Sequence, residues 1–264
     1  MIRRMKMSAI RDFKVEKLRV VVHETRKDSG LEAAEMAARA ILDAVKAKGH
    51  ANVVFAAAPS QNDLLAAMKA DKRIPWDKVN AFHLDEYHTL PKGAPQRFDL
   101  FLEKNIWDEV KPAKIFPVVP ENGMKAEDIE ARYKKLMQEY PPDLALLGIG
   151  ENGHLAFVDP PFADFADRAT IREVELDFVC RNQQVNDGAY SKLDDVPKKA
   201  VTMTIPTMMS AKTLVTVVPG PRKADAVKAT LEGPITTACP ASVLRTHADC
   251  ALFLDEDSFQ KVSL

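Results

Sequence analysis

The sequence has no apolar run near the ~20 residues that a membrane-spanning helix requires, and Met1 to Lys17 mix basic residues with too little apolar length for a signal peptide. The expectation is a cytoplasmic protein with no membrane partner. Cysteine is scarce. Cys180, Cys239 and Cys250 are odd in number and lack CxxC spacing, which argues against a disulfide framework or a structural zinc site and reads as reduced thiols filling the core. The six histidines show no HExxH or related spacing, so nothing asks for a metal. Positive charge is not in excess. The chain has 37 Lys and Arg against 38 Asp and Glu, which advertises no nucleic-acid partner, although a local basic patch stays open.

What remains is ordinary globular material: 264 residues, 46% hydrophobic and 28% charged, enough to bury a sizeable core. Short apolar runs alternate with helical stretches throughout, the pattern of an α/β fold with an open, mainly parallel, doubly wound sheet. The strand candidates are Leu18 to Val22, Asn52 to Ala57, Val79 to Leu84, Leu144 to Ile149, Val201 to Thr204, Leu214 to Val218 and Ala251 to Leu254. Most are continuously apolar, as strands covered on both faces are. Helices are expected from Ser29, with Glu32 completing a capping box, to Gly49, and over Ser60–Lys69, Pro95–Glu109, Ala126–Glu139 and Pro221–Leu231. No repeat or linker divides the chain, so residues 1–264 read as one domain. The polar stretch 160–199, with only Ile171 to Val179 strand-like, reads as a lid.

In open parallel sheets ligands bind beyond the carboxyl ends of strands, where loops lead into helices with unpaired amides. Four polar clusters follow strands: Ala58 to Asn62, Asp85 to His88, Gly148 to His154 and Pro219 to Lys223. One crevice can hold them all. His154, leaving a glycine-rich turn, reads either as acid/base or as a buried histidine that holds the loop. Asp159 would fix its tautomer or merely start a turn before Pro160. Alternation along a strand sends only one of Asp85 and Glu86 into the crevice and leaves the other to brace it. A desolvated carboxylate there would have a raised pKa and could shuttle a proton to and from carbon, or else cap a helix. Arg222 and Lys223 open a helix, which favours a bound anion between them and the amides, or else a solvated pair.

The segments Phe82-His83-Leu84-Asp85-Glu86-Tyr87, Gly148-Ile149-Gly150-Glu151-Asn152-Gly153-His154-Leu155-Ala156-Phe157-Val158-Asp159-Pro160 and Gly220-Pro221-Arg222-Lys223 resemble the glucosamine-6-phosphate deaminase (isomerase) family in order and spacing, over roughly residues 17 to 257. The resemblance implies aldose–ketose isomerisation of glucosamine 6-phosphate with loss of ammonia, giving fructose 6-phosphate. It implies a deaminase/isomerase of hydrolase type with no cofactor. Carried over, Asp85, Asn152, His154 and Asp159 are catalytic: His154 opens the sugar ring with Asp159 behind it, Asn152 orients, and Asp85 moves the carbon-bound proton. Ser60, Gln61, Glu86, Gly153, Arg181 and Lys223 bind substrate, with Lys223 on the phosphate and Arg181 beside it. Two departures stand out. Ala56-Ala57-Ala58-Pro59-Ser60-Gln61-Asn62 replaces the family's (S/T)G(S/T)TP loop, a change expected to stiffen a turn that glycine would leave free, and Val158 replaces an Asn. The rival readings are a 6-phosphogluconolactonase-type hydrolase and a non-catalytic sugar-phosphate sensor. Whether the chain forms a homo-oligomer stays open.

Overall fold

The computed structural model describes residues 9–264. Eleven strands are present among them: β1 (Arg11–Val15), β2 (Leu18–His23), β3 (Ala51–Phe55), β4 (Val79–His83), β5 (Asp85–Glu86), β6 (Lys114–Phe116), β7 (Leu144–Leu147), β8 (Ile171–Glu175), β9 (Lys199–Met203), β10 (Thr213–Val218) and β11 (Cys250–Asp255). The helices are α1 (Arg26–Lys48), α2 (Asn62–Ala70), α3 (Phe98–Leu102), α4 (Asp108–Val110), α5 (Ala126–Glu139), α6 (Phe178–Asn186), α7 (Ile205–Met209), α8 (Ala224–Glu232) and α9 (Glu256–Phe259). A π-helical turn, Glu103–Trp107, joins α3 to α4. No helix among the described residues is long and apolar enough to cross a membrane.

Eight strands form one sheet in the order β1-β2-β11-β10-β7-β3-β4-β6, all parallel except the β1–β2 hairpin at one edge. Alternation along each central strand feeds two apolar layers. Val53, Phe55, Leu144, Leu146, Val215, Val217 and Phe253 pack on one face under α1 and α2. Val54, Ala145, Leu147, Leu214, Val218 and Leu252 pack on the other, against Ile129 and Tyr133 of α5 and Val227 and Leu231 of α8. Burial on both faces is why these strands are legible as unbroken apolar runs. β1 and β6 escape that reading because they are half-exposed edges (RDFKV and KIF).

Two expectations need correcting. Val201 to Thr204 does not join the main sheet: β9 is the centre of a second, antiparallel sheet, β5-β9-β8. Helix α1 does not open at Ser29 either. Thr25 is the N-cap, its side chain accepting from the Asp28 amide at 3.1 Å, and Ser29 is buried inside the first turns. The stretch 160–199 carries β8, α6 and the start of β9, so it is structured for much of its length.

Strand order reverses between β3, whose connections run on to β4 and β6, and β7, whose connections run on to β10 and β11. The crevice at such a switch point is where an open α/β sheet receives ligands.

Close approach of α1 to α2 depends on Gly30, where an added Cβ would stand 2.6 Å from the Asp63 Cβ and 2.9 Å from its backbone carbonyl carbon. Gly30→Ala adds helix propensity of up to ~1 kcal/mol, but overpacking against backbone costs ~1–3 kcal/mol. The variant is expected to lose about 1–2 kcal/mol in urea unfolding; an unchanged or raised midpoint would show that α2 moves aside freely.

Candidate active site

At the switch point the loops after β3, β4, β7 and β10 form a cavity, open to solvent, whose lining includes Ser60, Gln61, Asp85, His154 and Lys223. Each of the four polar clusters that follow strands therefore contributes to one space.

Asp85 arrives there because the chain changes sheets beside it. The Leu84 amide donates to Phe55 O in the main sheet at 3.1 Å, while its carbonyl accepts from the Met203 amide at 2.8 Å in the small one. Asp85 then pairs with Thr202 in the small sheet. Its side chain is 8% exposed, and burial pushes its pKa up to about 7. No cation offsets that shift. Glu86 points the other way: its carboxylate accepts from the amides of Tyr87, Phe98 and Asp99 at 2.9–3.1 Å and so caps α3. Strand alternation separates this pair as expected. The placing of Glu86 among substrate-binding residues is corrected, since helix amides occupy it outside the cavity.

His154 is held by the glycine turn. The Gly150 amide donates to His154 O at 2.9 Å, and a Cβ at Gly150 would fall 2.1–2.3 Å from the imidazole, so the ring needs that residue bare. Gly153 has φ +85°, a left-handed conformation that favours glycine, and its carbonyl accepts from the Ala241 amide. It shapes the loop without lining the cavity, so its placing among substrate-binding residues is corrected as well. Nδ1 of His154 lies 3.1 Å from Oδ1 of Asp159. Asn152 ties this pair together: its Oδ1 accepts from the His154 amide, and its Nδ2 donates to Asp159 and to Asp177. Asp159 is fully buried. Desolvation works to raise its pKa, but contacts with His154, Asn152 and the Asp177 amide outweigh it and hold the carboxyl below its usual value. With Asp159 behind Nδ1, the other ring nitrogen is the one available to a ligand.

Cys180 adds a third ligand-capable atom, and the ligand atoms of His154, Asp159 and Cys180 all lie within 4.8 Å of one another. Burial raises the Cys180 thiol pKa well above its ordinary value, and Asp159 is already engaged by Asn152 and the Asp177 amide. The donor set fits a protonated core thiol beside a histidine–carboxylate pair better than a metal centre.

Lys223 also lines this cavity. Burial lowers its pKa, and the neighbouring Asp187 and Glu151, which act to raise it, are both paired with Arg222. Among the described residues no carboxylate comes within ion-pair distance of the Lys223 amine. Arg222 is thus a surface clip, and Lys223 alone offers a free cation to the cavity. Beside it Ser60 Oγ accepts from Gln61 Nε2 at 3.2 Å, which leaves the hydroxyl proton to donate; Gln61 Nε2 also reaches Leu147 O and Val217 O.

Arg181 needs correcting too. Its guanidinium donates to Leu193 O and Val196 O, bracing the 160–199 segment away from the cavity. Gln183 and Gln184 of the same helix line the site instead, with Gln183 Oε1 accepting from the Glu151 amide. Helical spacing was the signal for this: Cys180 and Gln183, three apart, are the buried positions of α6.

Residues 24–253 match the family described as glucosamine-6-phosphate isomerases/6-phosphogluconolactonase. The chain belongs to this family. It is 36% identical over 233 residues to a glucosamine-6-phosphate deaminase of Bacillus cytotoxicus, covering 87% of this chain and 85% of the relative. It is 34% identical over 191 residues to that of Exiguobacterium sibiricum, covering 72% and 73%. A solved monomeric glucosamine-6-phosphate deaminase superposes with TM-score 0.82 at 27% identity, covering 92% of this chain and 99% of that one. The 6-phosphogluconolactonase of Trypanosoma brucei, with TM-score 0.76 at 16% identity over 92% and 98%, shares the fold.

The Asp85 carboxyl titrates near 7 in the folded protein and near 3.8 when its side chain is solvated, so the folded state holds its proton over a pH range where the unfolded chain has released it. Its contribution to stability is full below about pH 4 and is lost as pH rises through 7, a change on the order of 4 kcal/mol. Asp85→Asn is therefore expected to be more stable than wild type at pH 8 and nearly equal to it at pH 4. Chemical denaturation at the two pH values checks this, and equal stability at pH 8 would mean the carboxylate is solvated.

Proposed function

We propose that the protein converts glucosamine 6-phosphate, or a closely related amino-sugar phosphate, to the ketose phosphate and ammonia. The observation that carries the reading is one cavity holding a carboxyl poised near neutrality, an imidazole backed by a carboxylate, and an unpaired buried amine. The amine of Lys223, the hydroxyl of Ser60 and the first amides of the following turns suit a phosphate. His154 moves a proton between the ring oxygen and the anomeric hydroxyl as the sugar opens. Asp85 takes the proton from C2 and returns it at C1, passing through an enolamine. The resulting C2 imine adds water and expels ammonia. Water enters and ammonia leaves, so the net reaction is hydrolytic although its central step is an isomerisation. A carboxylate with pKa near 7 suits carbon acid–base work because it is both ionised enough to accept and acidic enough to return a proton. The 36% identity to a deaminase of nearly equal span supports this substrate class.

The decisive experiment is ammonia release across hexosamine 6-phosphates, with 6-phosphogluconolactone hydrolysis followed in parallel. Turnover of an amino-sugar phosphate by wild type but not by Asp85→Asn is expected, whereas lactone hydrolysis alone would replace the reading. Lys223→Ala should raise KM about 10- to 100-fold, the worth of a charge-assisted contact made before and during the transition state, with a smaller effect on kcat. An unchanged KM would remove Lys223 from the anion site.

Residues 160–199 are read as the cover of this site, with Gln183 and Gln184 of α6 at its rim. Limited proteolysis within this stretch should slow when the sugar phosphate is added, and equal cleavage with and without it would discard the cover.

A further inference from the structure

One buried titratable group just behind the cavity wall has no part in the chemistry above. His83 is the last residue of β4, two before Asp85, and is fully buried outside the cavity lining. Its ring bridges two stretches of backbone: Nδ1 lies 3.0 Å from Asp85 O, and Nε2 accepts from the Val118 amide at 2.8 Å. An amide can only donate, so Nε2 carries the lone pair and Nδ1 carries the hydrogen. That hydrogen is donated to the carbonyl of Asp85 itself.

We propose that His83 is a positioning residue for Asp85: as a single neutral tautomer strung between β4's exit and the segment after β6, it sets where the carboxylate stands. The inference rests on the reading that Asp85 carries the proton between carbons.

Three observations support it. Burial lowers the His83 pKa to about 4, so the ring stays neutral, with one donor and one acceptor, throughout the range in which Asp85 titrates. The Tyr133 hydroxyl lies 3.2 Å from His83 O and 3.1 Å from Phe116 O, and the Trp107 ring packs edge-on to the imidazole at 6.0 Å, so the bridge is anchored at its own end. Leu84, between the two residues, is where the backbone leaves the parallel sheet for the antiparallel one. A strand two residues long has little register of its own, and a restraint on the Asp85 carbonyl supplies what the short pairing lacks. A displacement of ~1 Å at a reacting group costs ~10²-fold in rate.

Two amide substitutions separate the two ends of the bridge. His83→Asn carries a donor at about the position of Nδ1 and keeps the bond to Asp85 O while losing the one to Val118. His83→Gln reaches to about the position of Nε2, accepts from Val118 and leaves the Asp85 carbonyl without its donor. His83→Asn should keep kcat within a few-fold. His83→Gln should lose about 100-fold in kcat with KM for the sugar phosphate unchanged, because Ser60 and Lys223 are untouched. Tyr133→Phe, which removes a hydroxyl from the same neighbourhood but not from Asp85, should lower Tm and leave kcat alone.

Equal kcat in the two His83 variants, or a loss that follows Tm across all three, overturns the proposal and leaves His83 a structural residue. An active Asp85→Asn instead overturns the reading beneath it. Should His83→Gln not fold, the imidazole ¹⁵N shifts of the wild-type protein still decide: Nδ1 protonated and Nε2 bare is the expected pattern, and the opposite or an exchanging tautomer overturns it.

Discussion

The carboxyl and the amine that line one cavity of this protein are not paired with each other. Asp85 and Lys223 line one cavity, yet burial is what shifts both, raising the carboxyl and lowering the amine. Elsewhere in the fold buried carboxylates are paired: Asp99 with Arg97 at 2.6 Å, and Asp143 with Lys48 at 2.8 Å. A buried charge without a partner is unfavourable, and a fold retains it only where something else supplies the missing interaction. A ligand that is anionic at one end and yields a proton at the other meets both requirements, which is why the electrostatics and the proposed chemistry describe the same molecule.

The geometry that maintains this separation comes from the joining of two sheets. β4 delivers the chain to the carboxyl edge of the parallel sheet, and β5 continues it into the small antiparallel sheet built with β8 and β9. The segment that contributes β8 and α6 thus does more than border the cavity. Its α6 supplies Gln183 and Gln184 to the wall, and Asp177, the α6 N-cap, is tied through Asn152 and its own amide to the His154–Asp159 pair. Movement of this segment therefore bears on both the carboxylate and the imidazole through backbone and hydrogen bonds already in place.

How much of this could be read beforehand follows from burial. Central strands covered on both faces leave a local signal, and β2, β3, β4, β7, β10 and β11 were legible from it within a few residues. β1 and β6 were not, because an edge strand alternates with solvent and looks like loop. Val201 to Thr204 reads as a strand correctly, but which sheet it joins depends on contact with β5 and β8, which no window of sequence contains. The site divides similarly. The placing of Asp85 and His154 beyond strand ends follows from topology, and period-two alternation separates Asp85 from Glu86. The resemblance placed Arg181 beside the phosphate, whereas the carbonyls it binds lie twelve and fifteen residues further on.

The alanine-rich loop after β3 has a simpler explanation than its departure from the family pattern implies. Glycine would be required there if the turn needed positive φ, but Ala58 is extended at φ −151°, ψ 155°, a conformation open to any residue, and the positive-φ residues of the chain lie elsewhere. The expected stiffening therefore carries no strain. What the substitution removes is side-chain hydroxyls and the freedom of the backbone to wrap an anion, leaving Ser60, with its proton turned free by Gln61, as the hydroxyl of that loop that lines the cavity with Lys223. On the proposed reading, fewer donors place more of the anion's binding on a single amine, and a compact ammonium is a point charge without the planar fork that would fix orientation. Under the same proposal, orientation comes from the other end of the substrate, from a carboxylate fixed through its own backbone and an imidazole fixed by Asp159.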